Sequence, residues 1–262
     1  MIGGLDAATI ETLVFGSGTL GMLVGVVVVG WLLRDDTLDA DAGKFRYLLI
    51  VPAFAVLAYA AMTLGFGRLT VGGVEAEVAR YLDWFITTAV MVWYVGYVVD
   101  VERKWMLTAA VFDGLFIAGG WIATTTQGTV KWTAFAGACL AFAATMYVLF
   151  RVYPRSAGEM TPERERLFLR LRNQSSVIWL VYPVVWLASG AGFGLVSTLG
   201  TVMLFTFLDV ASKVPYTWVV YEHRGVFTET QLTEYLGAGD DGDGAAGSGD
   251  ASTTDGPVAS AD

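Results

Sequence analysis

The sequence predicts an all-α membrane protein, a seven-transmembrane-helix up-down bundle, and three observations predict it. Of the 262 residues 55% are hydrophobic and the mean hydropathy is positive, too apolar for an ordinary soluble domain. Seven stretches reach the roughly 20 apolar residues that a bilayer span requires. They lie at about 10–33, 46–67, 79–99, 105–125, 132–153, 174–192 (extended inward from about 165) and 196–222. Most connections are short, so consecutive spans are antiparallel neighbours.

The first span follows Met1-Ile2-Gly3-Gly4-Leu5-Asp6, which lacks the basic start and cleavage site of a signal peptide, so a retained first helix is expected. Spans three and four are joined by Asp100-Val101-Glu102-Arg103-Lys104, and spans four and five by Thr126-Gln127-Gly128-Thr129. Span five holds the single cysteine, Cys139, which cannot form an intrachain disulfide and is read as packing. The longest connection, Pro154 to about Glu165, contains Thr161-Pro162-Glu163-Arg164-Glu165. There a Thr cap, a Pro at the first helical position and early acids mark the start of helix six before it enters the membrane. In span seven, Pro215 implies a kink or a tolerated break, and the lone His223 is read as a solvated residue at the inner end.

Arg34, Lys44, Arg46, Arg103, Lys104, Arg151, Arg155, Arg164, Arg166, Arg170, Arg172 and Arg224 fall at one end of the bundle, and only Arg68 and Lys131 at the other. The basic end is expected in the cytoplasm, which makes this a multi-pass protein of the cell membrane with its N-terminus outside and its C-terminus inside. Two regions are predicted: the bundle, 1–224, and an acidic Gly/Asp-rich cytoplasmic tail, 225–262, with almost nothing to bury and hence disordered. The net charge of −9 suits a high-salt environment. No nucleic-acid signature or metal site is expected, and the lack of an internal repeat weighs against a duplicated transporter.

Ionisable groups within spans are expensive and therefore functional candidates; these are Arg80, Asp83, Asp113, Asp209 and Lys213. Asp209 and Lys213 are one helical turn apart, and Arg80, Asp83 and Thr87 form a second polar stripe on span three. Facing one another, the two stripes make a balanced quartet of two cations and two carboxylates. Two readings stay open. The quartet is either a structural ion-pair cluster that fixes register, or the setting for a desolvated lysine that condenses with an aldehyde and needs a carboxylate counterion. Trp84, Trp179, Tyr182 and Trp186 are either bundle core or the walls of a ligand pocket.

Span three reads Ala79-Arg80-Tyr81-Leu82-Asp83-Trp84-Phe85-Ile86-Thr87-Thr88 and span seven Leu208-Asp209-Val210-Ala211-Ser212-Lys213-Val214. With Leu171-Arg172-Asn173 and Trp179-Leu180-Val181-Tyr182-Pro183-Val184-Val185-Trp186-Leu187 of span six, they resemble the signatures of the haloarchaeal microbial (type 1) rhodopsins over roughly 10–224. The resemblance implies all-trans retinal on Lys213 as a protonated Schiff base, with Asp83 as counterion and proton acceptor, Asp209 as second counterion and Arg80 as a switchable outer cation. It further implies a pocket of Trp84, Thr87, Thr88, Phe116, Phe135, Phe142, Trp179, Tyr182 and Trp186, with Tyr59 near Asp209 and Asp113 bonded to Thr88.

An Asp at position 83 argues against a chloride pump. Outward proton pumps of this family carry a carboxylic acid three turns inward of the acceptor, about 16 Å by helix rise. Here Tyr94 stands eleven residues after Asp83, and a phenol of reference pKa about 10 is a poorer donor. The loop Ser189–Gly200 also lacks the paired glutamates that release protons in pumps. The resemblance therefore points to a sensory rhodopsin, a photoreceptor for phototaxis and not an enzyme; the alternative is an outward proton pump with a slow photocycle. Lys213-Val214-Pro215-Tyr216 resembles sensory rhodopsin I, although that family has a His where Gln174 falls and a Pro where Ala89 stands. Ser212 is closer to sensory rhodopsin II, where the matching hydroxyl pairs with a Tyr at the place of Tyr182. The partners implied are membrane lipids and a transmembrane transducer docking on helices six and seven; a homo-oligomer is compatible with the same bundle.

Overall fold

Apolar chain that enters a bilayer must satisfy its own backbone hydrogen bonds, which a helix does within one segment. The computed structural model describes residues 6–35, 43–158 and 160–227, and it is helical through nearly all of them. Helix α1, Ala7–Leu32, starts where Asp6 caps it by accepting from the Thr9 amide at 2.7 Å. Helix α2 is Gly43–Thr63, with Pro52 inside it. Helices α3 (Val78–Val98) and α4 (Arg103–Thr125) follow. Helix α5, Gly128–Tyr147, continues through a π-helical turn, Val148–Val152, into the short α6, Tyr153–Ser156. Helices α7 (Pro162–Trp179) and α8 (Val181–Ala188) together make the sixth bundle member, and α9 (Thr198–Glu222) the seventh. A 3-10 turn, Arg224–Phe227, carries the chain three residues past the expected end of the bundle. The remainder of the acidic tail lies outside the described residues.

Local chemistry accounts for the breaks. Thr161 accepts from the Arg164 amide at 3.3 Å, so α7 starts at the cap and Pro expected from sequence. Span six is not one helix. Pro183 offers no amide to the Trp179 carbonyl four residues earlier, and the helix is interrupted at Leu180 and stops at Ala188, short of the predicted 192. The segment between α2 and α3, which lies between the second and third predicted spans, folds into a β-hairpin of β1 (Arg68–Val71) and β2 (Val74–Glu77), with Arg68 opposite Glu77. Its two-residue turn, Gly72-Gly73, has φ of 58° and 81°, and only glycine adopts two such angles in succession without strain.

Helix α1 packs on α2 and α9, α2 on α3, α3 on α4, α4 on α5, and α7 on α9. One core cluster, including Phe45, Met91, Tyr94, Tyr153, Phe168 and Tyr216, lies toward the end with the α7 cap; a smaller one of Phe15, Met22, Tyr59 and Met62 lies toward the hairpin. Large apolar side chains point outward, among them Leu57 at 67%, Leu140 at 72% and Phe207 at 68% exposed, as expected where lipid replaces water. Four helical segments are long and apolar enough to cross a membrane on composition alone: Ala7–Leu32, Phe45–Thr63, Arg103–Thr125 and Gly128–Ser156. In the other bundle members charge breaks the apolar run: Arg80 and Asp83 on α3, the run Glu163–Arg166 on α7, and Asp209 and Lys213 on α9.

Candidate functional site

Helices α3 and α9 bring their polar stripes together in the middle of the bundle. Lys213, 1% exposed, donates Nζ to Oδ2 of the fully buried Asp83. The four-residue spacing of Asp209 and Lys213 allows a pair within α9, but the lysine reaches across to α3 instead. Asp209 is occupied by neutral donors: its Oδ2 accepts from Tyr59 at 2.5 Å, and its Oδ1 from the Trp84 indole and the Tyr182 hydroxyl, each at 2.7 Å. Three donors satisfy a buried carboxylate without a cation, which leaves Lys213 to Asp83.

Arg80 completes the quartet without bonding to either acid. Its guanidinium lies 5.5 Å from the ring centre of Phe15, 5.8 Å from Tyr59 and 5.6 Å from Phe205, cation–π distances that compensate part of its burial. Thr87 donates to the Asp83 carbonyl at 2.7 Å and so fixes a helical turn, not the carboxylate. Thr88 Oγ1 lies 2.5 Å from Asp113 Oδ2 and 2.6 Å from the Trp84 carbonyl, sharing one hydroxyl proton between α4 and its own helix. Ser212 donates to the Asp209 carbonyl at 3.0 Å, beside the Tyr182 hydroxyl.

Two adjoining cavities form an apolar slot that starts at this cluster. One is lined by Lys213, Ser212, Thr88, Asp113 and Trp179, the other by Phe135, Pro183, Trp186 and Phe205; Trp84, Phe116, Ile117 and Tyr182 line both. At the far end Phe135 stacks on Trp186, centroids 4.4 Å apart and planes within 14°, and the Trp186 indole donates to Thr124 at 2.7 Å. Phe142 stands behind Phe116, 5.0 Å between ring centres, rather than in the wall. Tyr94 is apart from the slot: it is buried against Tyr216 with its hydroxyl unbonded. Among the described residues no group of His, Cys, Asp and Glu is placed to hold a metal ion. Sequence reasoning missed Phe205, although it precedes Asp209 by one turn and the helical period brings it to the same face. It also missed Tyr81, which shares a 2.6 Å hydrogen bond with Thr124 and also lines the slot.

An amine at one end of an aromatic slot, paired with one carboxylate and one helical turn from a second, suits an elongated apolar aldehyde. Condensation there would bury the apolar body and keep the nitrogen beside Asp83.

The bacteriorhodopsin-like protein family model matches residues 9–225. The chain is 36% identical over 230 residues to sensory rhodopsin-1 of Halobacterium sp. (strain SG1), covering 87% of this chain and 90% of that protein. It is 35% identical over 212 residues to sensory rhodopsin-2 of Haloarcula vallismortis, covering 80% and 88%. Among solved structures, the thermophilic rhodopsin from Rubrobacter xylanophilus superposes with a TM-score of 0.78 at 27% identity, covering 83% of this chain and 97% of that one.

Proposed function

Because the chain belongs to the bacteriorhodopsin-like family, we propose that it is a retinal-based light sensor in which a proton moves from Lys213 to Asp83 and a helix movement carries the signal to a membrane transducer. The observation that carries this reading is the buried Lys213–Asp83 pair at the end of an apolar slot. Retinal, when bound through Lys213, supplies light absorption and an all-trans to 13-cis change of shape within the slot.

The residues of this chain do the rest. Trp84, Phe116, Trp179, Tyr182 and Trp186 would confine the polyene, with Phe135 backing Trp186 at the far end and Thr88 and Asp113 lining the side toward α4. Asp83 Oδ2, which accepts from Nζ at rest, takes the proton; the pair then loses its mutual charge. Asp209 keeps its three donors, Tyr59, Trp84 and Tyr182. Loss of charge on two of the four buried groups removes an attraction between α3 and α9, the kind of local electrostatic event that a bistable bundle turns into movement.

A sensor is favoured over a pump by Tyr94, which stands inward of Asp83 where a pump needs a carboxylic acid, and by the similarity to sensory rhodopsins. In this reading the hairpin end is outside and the basic end in the cytoplasm, on the distribution of Lys and Arg. The outward faces of α7, α8 and α9, with Val177 and Phe207 exposed, are offered as the transducer side.

The test is the light-induced pH change of cells expressing the protein with all-trans retinal, normalised to pigment, with a protonophore control. Little or no sustained acidification from a bleachable pigment is expected. Acidification matching that of a known pump would make proton transport the function.

A further inference from the structure

An elongated apolar ligand gains about 0.8 kcal/mol for each methylene it withdraws from water, so it reaches this protein dissolved in lipid. The bundle has one wall where lipid and slot nearly meet. Ile117 of α4 lines both cavities of the slot and also a third space, an apolar groove of about 170 Å3 along the seam between α3 and α4. Tyr81 of α3 lines that groove and the cavity that holds Trp186. Leu82, Phe85 and Ala118 line the groove alone; Leu82 and Phe85 are half exposed, on the outer surface of a membrane bundle. At Ile117 the wall between groove and slot is a single side chain thick.

Two hydrogen bonds frame this wall. Thr88 meets Asp113 at 2.5 Å on its inner side and Tyr81 meets Thr124 at 2.6 Å on its outer side, both joining α3 to α4. Tyr81 and Thr88 are about 10 Å apart by helix rise. Between the two bonds, among the described residues, no side-chain hydrogen bond crosses the seam. On the α4 side Gly114 and Ala118 are one turn apart, and a Cβ on Gly114 would lie 3.1 Å from Cε2 of Phe85, so that ring rests where a side chain is missing. Rotation of Ile117 and Phe85 opens such a seam without leaving a donor or acceptor unpaired. The water side is built differently. A crevice of about 430 Å3 at the hairpin end touches the slot at Tyr81, Trp84, Trp186 and Phe205, but its rim carries Glu11, Arg68, Glu75, Glu77, Arg80 and Lys131. There Thr124 bonds both the Tyr81 hydroxyl and, at 2.7 Å, the Trp186 indole, tying the aromatic floor together.

We propose that the seam between α3 and α4 is the port through which the slot takes up its ligand from the membrane, with the groove of Leu82, Phe85 and Ala118 as vestibule and Ile117 as gate. Because Ile117 borders both slot cavities, a chain that passes it reaches Lys213 on one side and Trp186 on the other. The inference rests on the reading of the slot as a retinal site.

The experiment measures uptake by the ligand-free protein in lipid vesicles, mixed with vesicles that carry all-trans retinal, from the growth of the visible band and the quenching of Trp fluorescence. All-trans retinol, which cannot condense with Lys213, is followed by quenching alone, so that entry is read apart from pigment formation. Ala118→Phe fills the vestibule from outside the slot and should slow uptake of both probes about tenfold, with the final band and yield unchanged. Ile117→Ala removes the gate and should take up both faster than the unsubstituted protein. Thr201→Phe fills the water-side crevice, which Thr201 lines, and should leave the rate in place. Unsubstituted rates in Ala118→Phe, or a slowing in Thr201→Phe alone, overturn the port. If Ala118→Phe does not fold, the rate of Ile117→Ala decides, and one no faster than the unsubstituted protein overturns it. An unsubstituted protein that develops no visible band overturns the retinal reading instead.

Discussion

Tyr182 donates its hydroxyl to Asp209 Oδ1 at 2.7 Å, so the sixth and seventh bundle members share a hydrogen bond at the centre of the site. The same oxygen accepts from Trp84, and Tyr59 holds the other oxygen. Tyr182→Phe should therefore leave Asp209 satisfied and the pigment intact, while weakening the junction between α8 and α9. The expected loss is about 1 kcal/mol, the net worth of one such bond, read as a lower midpoint for thermal bleaching. A pigment as stable as the unsubstituted one would mean that the hydroxyl does not tie the two helices.

Asp83 and Lys213 are a buried pair with no second ionic partner for the lysine among the described residues. Asp83→Asn leaves the cation uncompensated except by the more distant Asp209, and breaking a buried pair from one side costs on the order of 3–5 kcal/mol. The retinal-bound variant should absorb to the red and form no deprotonated intermediate after a flash. Flash spectroscopy that shows an unchanged photocycle would remove Asp83 from the acceptor role.

Asp113 depends on Thr88, whose hydroxyl lies 2.5 Å from it, and both are buried. Thr88→Val keeps the shape and deletes the donor, so an acid in the bundle interior loses its side-chain partner. Destabilisation of about 1–3 kcal/mol is expected, with Thr88→Ser close to the unsubstituted protein. Thermal unfolding of the two variants side by side makes the comparison; equal stability would show that the bond contributes nothing net.

Sequence periodicity makes a face visible, and that is why Arg80, Asp83 and Thr87, and separately Asp209 and Lys213, group together on residue spacing alone. Spacing says nothing about which stripe meets which partner. The one-turn separation within α9 suggests Asp209 as the neighbour of Lys213, whereas the bundle saturates Asp209 with Tyr59, Trp84 and Tyr182 and sends the lysine to α3. Span lengths are legible from apolar runs, but the break at Leu180 depends on one proline within a run of the same hydrophobicity. The pairing of Glu77 with Arg68 is invisible in the sequence for a different reason. Both sit in a polar segment by composition, and only the hairpin closed by Gly72-Gly73 sets them opposite each other at the foot of α3.

Packing far from the charges should also reach the site through Gly18. A Cβ built on this glycine of α1 would overlap the Tyr59 ring, lying 2.5 Å from its Cε1, closer than carbon atoms can approach. Gly18→Ala must therefore displace the Tyr59 ring, whose hydroxyl is one of the three donors on Asp209. Overpacking of this kind costs about 1–3 kcal/mol. The displacement should also move the absorption band in the same direction as Tyr59→Phe, since both take the phenol off the carboxylate. If they act through one contact, the double variant Gly18→Ala with Tyr59→Phe should be shifted by less than the sum of the two. Additive shifts in absorption spectra of the three pigments would mean that Gly18 shapes the bundle without touching the counterion.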